Sequence, residues 1–578
     1  MGTTRPTHLL ERLEHRLQGP APSRSVLAGL LVLLCCFLFF YRLSVRDLWA
    51  PDEPRYAQVA LEMLARSDWV VPHLNGEIYT QKPMMFFWLT GLAGKLLGEV
   101  TPLAVRLPSS LAATIIVLVL FLWGTRYWGN GRSWIAASVL ATSVQFLWVG
   151  RFGQMDLVFA AFVFLALVGG FETLQDRAPG RHRILFYAAM AGATLTKGPL
   201  GLLLCWLGPL VYSAARRDWR PLKPFKPLWG MLAVAAVVFS WYVPAVLSTQ
   251  GAYGGWDILM NQTYRRAVEG YNHPNWIGYF LYDFPAIFLP WSLWLPAAWH
   301  FLRKASGKTS TALLGRTEAE RYLAGFFYAG FVLFSLSTEK RGNYLLPLFP
   351  AAAVYVSSAW PDWKTTLLSG RLGTFYRLLF GSLSLILILA APAILLSLLF
   401  SPEGYRPPWK PLLPFALAFL LLGLIHAIVC RKRLWRTGWI GLVALLCTLV
   451  AFQSHVVEPV VNPHKSARYM CEPLADERAR GAEIISYIQI PAQFIYYSKG
   501  PIRLFETPEE IVEHMKSNPK VLCLMEAPSY RKFKTQLEEV SWVVEERRVG
   551  HRKMVLLSNY FRPEEAPSEA EKPDGRLP

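Results

Sequence analysis

The chain of 578 residues is 53% hydrophobic and only 17% charged, where soluble domains carry about 25% charge. Its mean hydropathy is +0.28 and its apolar residues gather in runs of roughly 20, which excludes an ordinary soluble enzyme and points to a polytopic membrane protein. The net charge of +19 would suggest a nucleic-acid partner in a soluble chain, but in a membrane protein it is first an orientation signal.

Residues 1–24 form a polar tail containing Arg5, Arg12, Arg16 and Arg24. The first apolar run, Ser25–Tyr41, has no small-residue cleavage site after it and is an uncleaved span rather than a signal peptide. Further runs open near Leu107, Ser133, Asp156, Ile184, Leu202, Pro227, Ile277, Tyr322, Tyr344, Phe375, Leu412 and Gly438, so residues 25–457 are expected to hold about thirteen membrane helices. One set of connections is rich in Lys and Arg, as at Arg126/Arg132, Arg216/Arg217/Arg220 and Arg431/Lys432/Arg433. That set is cytoplasmic by the positive-inside rule, and the N-terminus with it. The other set faces outward, away from the cytoplasm: the long loop 46–106, the turns 150–155, 196–201 and 338–343, the loop 250–276, and everything after Val457. A basic nucleic-acid surface is thereby excluded.

Beyond residue 458 the apolar runs shorten to strand length at Ile484–Ile490, Phe494–Tyr497, Val521–Met525, Trp542–Glu545 and Lys553–Ser558. Amphipathic helices are expected at Pro508–Lys516 and Tyr530–Val540. Residues 458–562 are therefore a small periplasmic α/β domain, and 563–578 a disordered tail. Of seven Cys, five lie in apolar runs and act as small hydrophobes; pairing of Cys471 with Cys523 is open.

The first periplasmic loop is about sixty residues long, far beyond the usual roughly 4–6, a length common in functional loops. Asp52-Glu53-Pro54-Arg55-Tyr56 opens a helix with Tyr56, Val59, Ala60, Met63 and Leu64 on one face, which predicts an amphipathic helix lying flat on the membrane surface. Asp52 suits an N-cap there. Tyr79-Thr80-Gln81-Lys82-Pro83 then precedes the apolar stretch Met84–Leu97, with Pro83 in a first helical turn. Arg151, Asp156, Lys197, His273, Lys340, Arg341 and Tyr344 recur at the same depth. Each has an innocent role in capping or snorkelling, but charged groups at membrane depth that converge are functional candidates. Cations beside a carboxylate at headgroup level fit a reaction on a lipid phosphate: Lys and Arg hold the anionic leaving group, and a carboxylate takes a proton from an attacking hydroxyl. No phosphate-binding loop, dinucleotide fingerprint or HExxH is present.

At these residues the chain resembles the membrane GT-C glycosyltransferases that use polyprenyl-phosphate sugars, in particular the bacterial lipid A 4-amino-4-deoxy-L-arabinose transferases, relatives of the protein O-mannosyltransferases. The matching pieces are Asp52 through Ala57, Gly76 through Tyr79 with Lys82-Pro83, Arg151 through Asp156, Thr196-Lys197-Gly198-Pro199, and Lys340 through Pro347. The resemblance implies a mainly α polytopic GT-C fold with a small C-terminal α/β domain and an inverting transfer from undecaprenyl phosphate to lipid A, lipopolysaccharide or another glycan or lipid. It makes Asp52 the base and Asp156 a second acid. Lys82, Lys197, Arg341 and Tyr344 bind the donor phosphate, and Tyr56, Tyr79, Gln81, Arg55, His273 and Lys340 line the cavity. The chain departs from the aminoarabinose transferases at Gln81, where they carry Glu. The missing carboxylate leaves a divalent metal, a neutral sugar and a different acceptor all open. A flippase for a lipid-linked sugar is the alternative, but it needs midplane charges and inverted repeats, which are not evident. A non-catalytic assembly protein would leave Asp52 and Lys82 without a purpose.

Overall fold

The computed structural model describes residues 6–18, 22–177, 179–253, 275–305, 317–358, 370–402 and 405–560. His273, most of the loop 250–276 and the tail 563–578 lie outside the described residues. The first part of the chain runs through α1 (Pro6–Gln18), α2 (Arg24–Cys35), α3 (Asp52–Arg66), the hairpin β1 (His73–Leu74) and β2 (Glu77–Ile78), and α4 (Met85–Leu97). Then follow α5 (Pro102–Ala141), α6 (Val144–Gly150), α7 (Met155–Leu174), α8 (Pro179–Lys197), α9 (Leu200–Arg216) and α10 (Pro227–Ser248). Later helices include Tyr279–Ile287, Glu318–Leu336, Phe349–Ser357, Gly370–Phe400 and Trp409–Lys432.

Among the described residues six helices are long and apolar enough to cross a membrane, α5, α7 and four later ones, while α4 and α9 are shorter apolar helices. The spans expected from Leu107 and Ser133 are one element, α5, broken at Gly129 where φ is 73° and ψ 168°. Only a residue without a side chain takes that conformation cheaply. α7 is buried on nearly all sides and lies at the centre of the bundle, so it has no one-sided apolar stripe. A single apolar core runs from Leu31 and Phe39 through Phe146, Phe164 and Tyr322 to Phe349.

The last membrane helix does not stop at Val457. Its turns continue through Gln453–Val457 into the helix Glu458–Lys465. After it come a helix at Arg468–Ala479 and a five-stranded sheet of order β4-β3-β5-β7-β6. Its strands are β3 (Glu483–Tyr487), β4 (Arg503–Phe505), β5 (Val521–Glu526), β6 (Trp542–Val549) and β7 (Arg552–Ser558). β3 is parallel to β4 and β5, and β7 antiparallel to β5 and β6.

One expectation is corrected here and one open question answered. Phe494–Tyr497 is not a strand but part of the helix Ala492–Tyr497; a four-residue apolar run has too little periodicity to separate the two. Cys471 and Cys523 are both free. Cys523 shares one face of the sheet with Ile485 and Met525, whereas Cys471 packs on the other with Leu522 and Leu524, because successive strand residues point to opposite faces.

Candidate active site

α3 presents no exposed apolar face to lie flat on a membrane, because it is buried within the protein. Tyr56, Val59 and Met63 face the bundle core, with Tyr56 edge-on to Phe86 and Phe87 at 5.3 and 5.8 Å. Ala57 and Ala60, on the adjoining flank of the helix, pack with Leu48, Val100 and Val105 beneath Tyr496 and Tyr497. Small residues on that flank let the terminal domain close over the helix, so α3 is sandwiched rather than interfacial.

Nor is Asp52 an N-cap. Pro51 holds that position, no side chain caps the helix, and Asp52 is its first residue. The Asp52 carboxylate keeps 21% of its surface exposed, with Arg55 Nη1 3.9 Å away. Its neighbour Glu53 is fully buried and holds the structure together. Glu53 Oε1 accepts from Arg46 Nη2 at 3.0 Å, Arg106 Nε at 2.7 Å and the Gly153 backbone N–H at 2.9 Å. Oε2 accepts from Arg106 Nη2 at 2.9 Å. Arg106 also donates to the carbonyls of Leu43, Arg46 and Asp47. Burial opposes the Glu53 charge, but Arg106 and Arg46 outweigh it and hold its pKa below the ordinary carboxylate value. A side chain at Gly153 would meet Val105 Cγ1 at 2.4 Å, so glycine there is what lets the turn before α7 approach Glu53.

Three residues beyond Gly153, Asp156 opens α7 and its Oδ1 lies 2.5 Å from Lys197 Nζ at the end of α8. The Lys197 ammonium also stands 5.3 Å from the Tyr344 ring and 5.2 Å from the Phe159 ring, within cation–π range. Tyr56 is influenced by both acids: burial first, then Asp52, Tyr79 and Asp156, push its phenol pKa well above the ordinary value. Burial works against the Arg55 charge, yet Tyr79 and Asp52 raise its pKa overall, and Tyr79 hydrogen-bonds Arg55. The Tyr79 hydroxyl donates to Gln81 Oε1 at 3.4 Å. Lys82 follows immediately, its carbonyl accepting from the Tyr253 hydroxyl at 3.0 Å. Asp52, Arg55, Tyr56, Tyr79, Gln81, Asp156, Lys197 and Tyr344 therefore form one cluster drawn from α3, the segment after β2, α7, α8 and the turn Gly342–Leu348.

Arg341 adjoins this cluster in sequence, at the head of the Gly342–Leu348 turn, where its carbonyl accepts from the Tyr344 N–H at 2.9 Å. Lys340 does not share the cluster's chemistry. It is 3% exposed, and its ammonium donates to the carbonyls of Asn275 at 2.9 Å and Ser337 at 2.5 Å. Pro83 lies outside α4, whose N-cap is Met84. Arg151 also turns away from the cluster, donating to the carbonyls of Leu38 and Tyr41 and to Ser454 Oγ.

The residues that sequence reasoning missed are Glu53, Arg46 and Arg106, and an amide relay beside the cluster. Gln145 Nε2 donates to Asn343 Oδ1, and Asn343 Nδ2 donates to Gln154 Oε1 at 2.8 Å. A buried arginine at a helix start, Arg106, was the available signal for the first group; the relay had none. Among the described residues no three His, Cys, Asp or Glu side chains converge as metal ligands. Gln81 offers a neutral amide there rather than a charged ligand.

This fold is shared with solved membrane-protein structures. Over 92% of this chain and 97% of the other, it superposes with a TM-score of 0.72 and 20% identity on the crystal structure of ArnT from Cupriavidus metallidurans bound to undecaprenyl phosphate. Residues 81–243 match the dolichyl-phosphate-mannose-protein mannosyltransferase family. The chain is similar to the undecaprenyl phosphate-alpha-4-amino-4-deoxy-L-arabinose arabinosyl transferases. It is 29% identical over 425 residues to that of Pectobacterium atrosepticum, covering 72% of this chain and 70% of that one. It is 32% identical over 334 residues to that of Pseudomonas aeruginosa strain LESB58, covering 56% and 58%. For the relative in Edwardsiella ictaluri the match is 28% and takes in 66% of its length, so the chain spans about two thirds of the curated relatives it matches.

Proposed function

We propose that this protein is an integral-membrane glycosyltransferase that moves a sugar from undecaprenyl phosphate to a hydroxyl of lipid A, lipopolysaccharide or a related glycan or lipid. It acts at the periplasmic face of a bacterial inner membrane, with the N-terminus cytoplasmic and the site and terminal domain periplasmic. The observation that carries this proposal is the convergence of two carboxylates, Asp52 and Asp156, with Lys197, Arg55 and three tyrosines from segments far apart in sequence. Similarity to transferases named for an undecaprenyl-phosphate aminosugar supports the donor class.

In this mechanism Asp52, partly open to solvent and not engaged as a cap, accepts the proton of the acceptor hydroxyl. That oxygen attacks the anomeric carbon as the bond to the lipid phosphate breaks, inverting the centre. Lys197, with Lys82 and Arg341, holds the phosphate whose charge grows as it leaves. Asp156, 2.5 Å away, aims the Lys197 ammonium. Tyr56 stays a neutral phenol, a hydrogen-bond donor between the two acids. The aminoarabinosyl lipid is the first donor to test.

The experiment uses purified protein, radiolabelled undecaprenyl-phosphate sugars and lipid A, comparing wild type with Asp52→Asn. A positioned general base contributes about 10²–10⁴-fold, so the folded mutant should lose transfer by that factor. Full transfer by the mutant would move the base to Asp156. Absence of transfer by wild type across donors and acceptors would favour a lipid-linked-sugar flippase.

A further inference from the structure

The hairpin β1–β2 leads straight into Tyr79, Gln81 and Lys82, and its tip is held from two sides. Asn75 sits in the left-handed region at φ 57°. Its backbone N–H donates to Glu62 Oε1 at 2.7 Å, and the Gly76 N–H to Glu62 Oε2 at 3.0 Å, which fixes the tip to α3. Gln58 Nε2 steadies Glu62 at 2.8 Å. The Asn75 side chain faces the other way. Its Nδ2 donates to the Ile502 carbonyl at 2.8 Å, and its Oδ1 accepts from the Ile502 N–H at 2.8 Å. The amide thus pairs with the backbone of the terminal domain as a neighbouring strand would. At the base of the hairpin the Tyr79 N–H donates to the Pro72 carbonyl at 2.8 Å, carrying the tip's placement into the wall of the cluster.

The terminal domain grips the same loop elsewhere. Leu48 N–H donates to the Tyr497 hydroxyl at 2.8 Å, the Tyr496 hydroxyl to the Val100 carbonyl at 2.6 Å, and Asn462 Oδ1 accepts from the Asp47 N–H at 3.2 Å. Those contacts hold the two ends of the loop. Among these contacts, the Asn75 pair acts on the hairpin whose chain runs on to Lys82.

We propose that Asn75 is a positioning residue through which the terminal α/β domain sets the Tyr79–Lys82 wall against the donor lipid phosphate. The domain is then a fixed brace on the donor site, not a lid. The part concerning the donor rests on the proposed function; the part concerning the brace does not.

Asn75→Gly separates the two. Glycine keeps the left-handed backbone without strain, so the variant loses only the side-chain pair with Ile502. The full-length protein in lipid nanodiscs is compared with wild type by amide hydrogen exchange over residues 76–82 and by equilibrium binding of sugar-free undecaprenyl phosphate. The expected result is at least tenfold faster exchange at Tyr79 and its neighbours, about tenfold weaker lipid-phosphate binding, and unchanged exchange in α7. Asn75→Asp, which keeps the acceptor for the Ile502 N–H, should fall between. Unchanged exchange over 76–82 would overturn the brace. Faster exchange with unaltered lipid-phosphate affinity would also overturn the proposal, leaving Asn75 a purely structural clip. Should wild type itself bind no undecaprenyl phosphate, it is the proposed function that fails, and the exchange comparison still decides the brace.

Discussion

Glu53 and Arg106 form a two-point ion pair, at 2.7 and 2.9 Å, between residues that are both about 1% exposed. It ties the first turn of α3, which carries Asp52, to the start of α5, and through Gly153 N–H to the turn that leads into Asp156. The spacing of the two candidate acids is therefore set by a residue that is neither of them. Breaking one side of a buried pair leaves the other charge uncompensated, at about 3–5 kcal/mol. Glu53→Ala and Arg106→Ala should each lower thermal stability by that order in a detergent melting assay. A melting point equal to wild type in either variant would refute the role.

The same pair predicts an acid limit. Because the folded pKa of Glu53 lies below its unfolded value of 4.5, its stabilisation is complete above that pH and is lost as pH falls below it toward the folded pKa. Melting temperature should drop below about pH 4.5 in wild type. Glu53→Gln should start lower at neutral pH and follow a flatter acid limb; parallel curves would count against this assignment.

Lys197 and Lys340 should answer differently to the same substitution. Losing a charge-assisted contact to phosphate costs about 1.5–3 kcal/mol, so Lys197→Met should weaken undecaprenyl-phosphate binding roughly tenfold or more. Lys340→Met removes an anchor on two carbonyls and should lower stability while leaving lipid affinity within about twofold in titration, under 0.6 kcal/mol. The reverse pattern would exchange their roles.

Gln81 presents a neutral amide where the resembling transferases carry a carboxylate. Gln81→Glu places a negative charge beside Tyr79, and competition between amino and neutral sugar donors should shift toward the amino sugar by about tenfold, the 1.4 kcal/mol that one new charged contact supplies. An unaltered donor ratio would show that position 81 does not select the sugar.

Cys471 and Cys523 lie on opposite faces of the terminal sheet. Reductant should leave the melting temperature unchanged, and thiol labelling after unfolding without reductant should count both. Detection of a peptide linking them would contradict the register of β5.

Composition and run length alone determined a helical membrane protein, because every backbone polar group in a bilayer must be satisfied within the span. Local motifs likewise marked Asp52, Tyr56, Tyr79, Asp156, Lys197 and Tyr344, since charge and aromatic residues at helix ends are visible without a fold. Only the tertiary structure decided what surrounds them. α3 looked interfacial because its apolar face was legible, while nothing at Ala57 or Ala60 signalled that Tyr496 and Tyr497 would pack against that flank. Glu53 looked like a companion to Asp52, and its partners at positions 46, 106 and 153 are joined only by long-range packing. Lys340 and Lys197 carry the same side chain at similar depth, yet one meets backbone carbonyls and the other a carboxylate. Periodicity records which face of an element is apolar; what each polar group finds opposite it depends on contacts hundreds of residues apart.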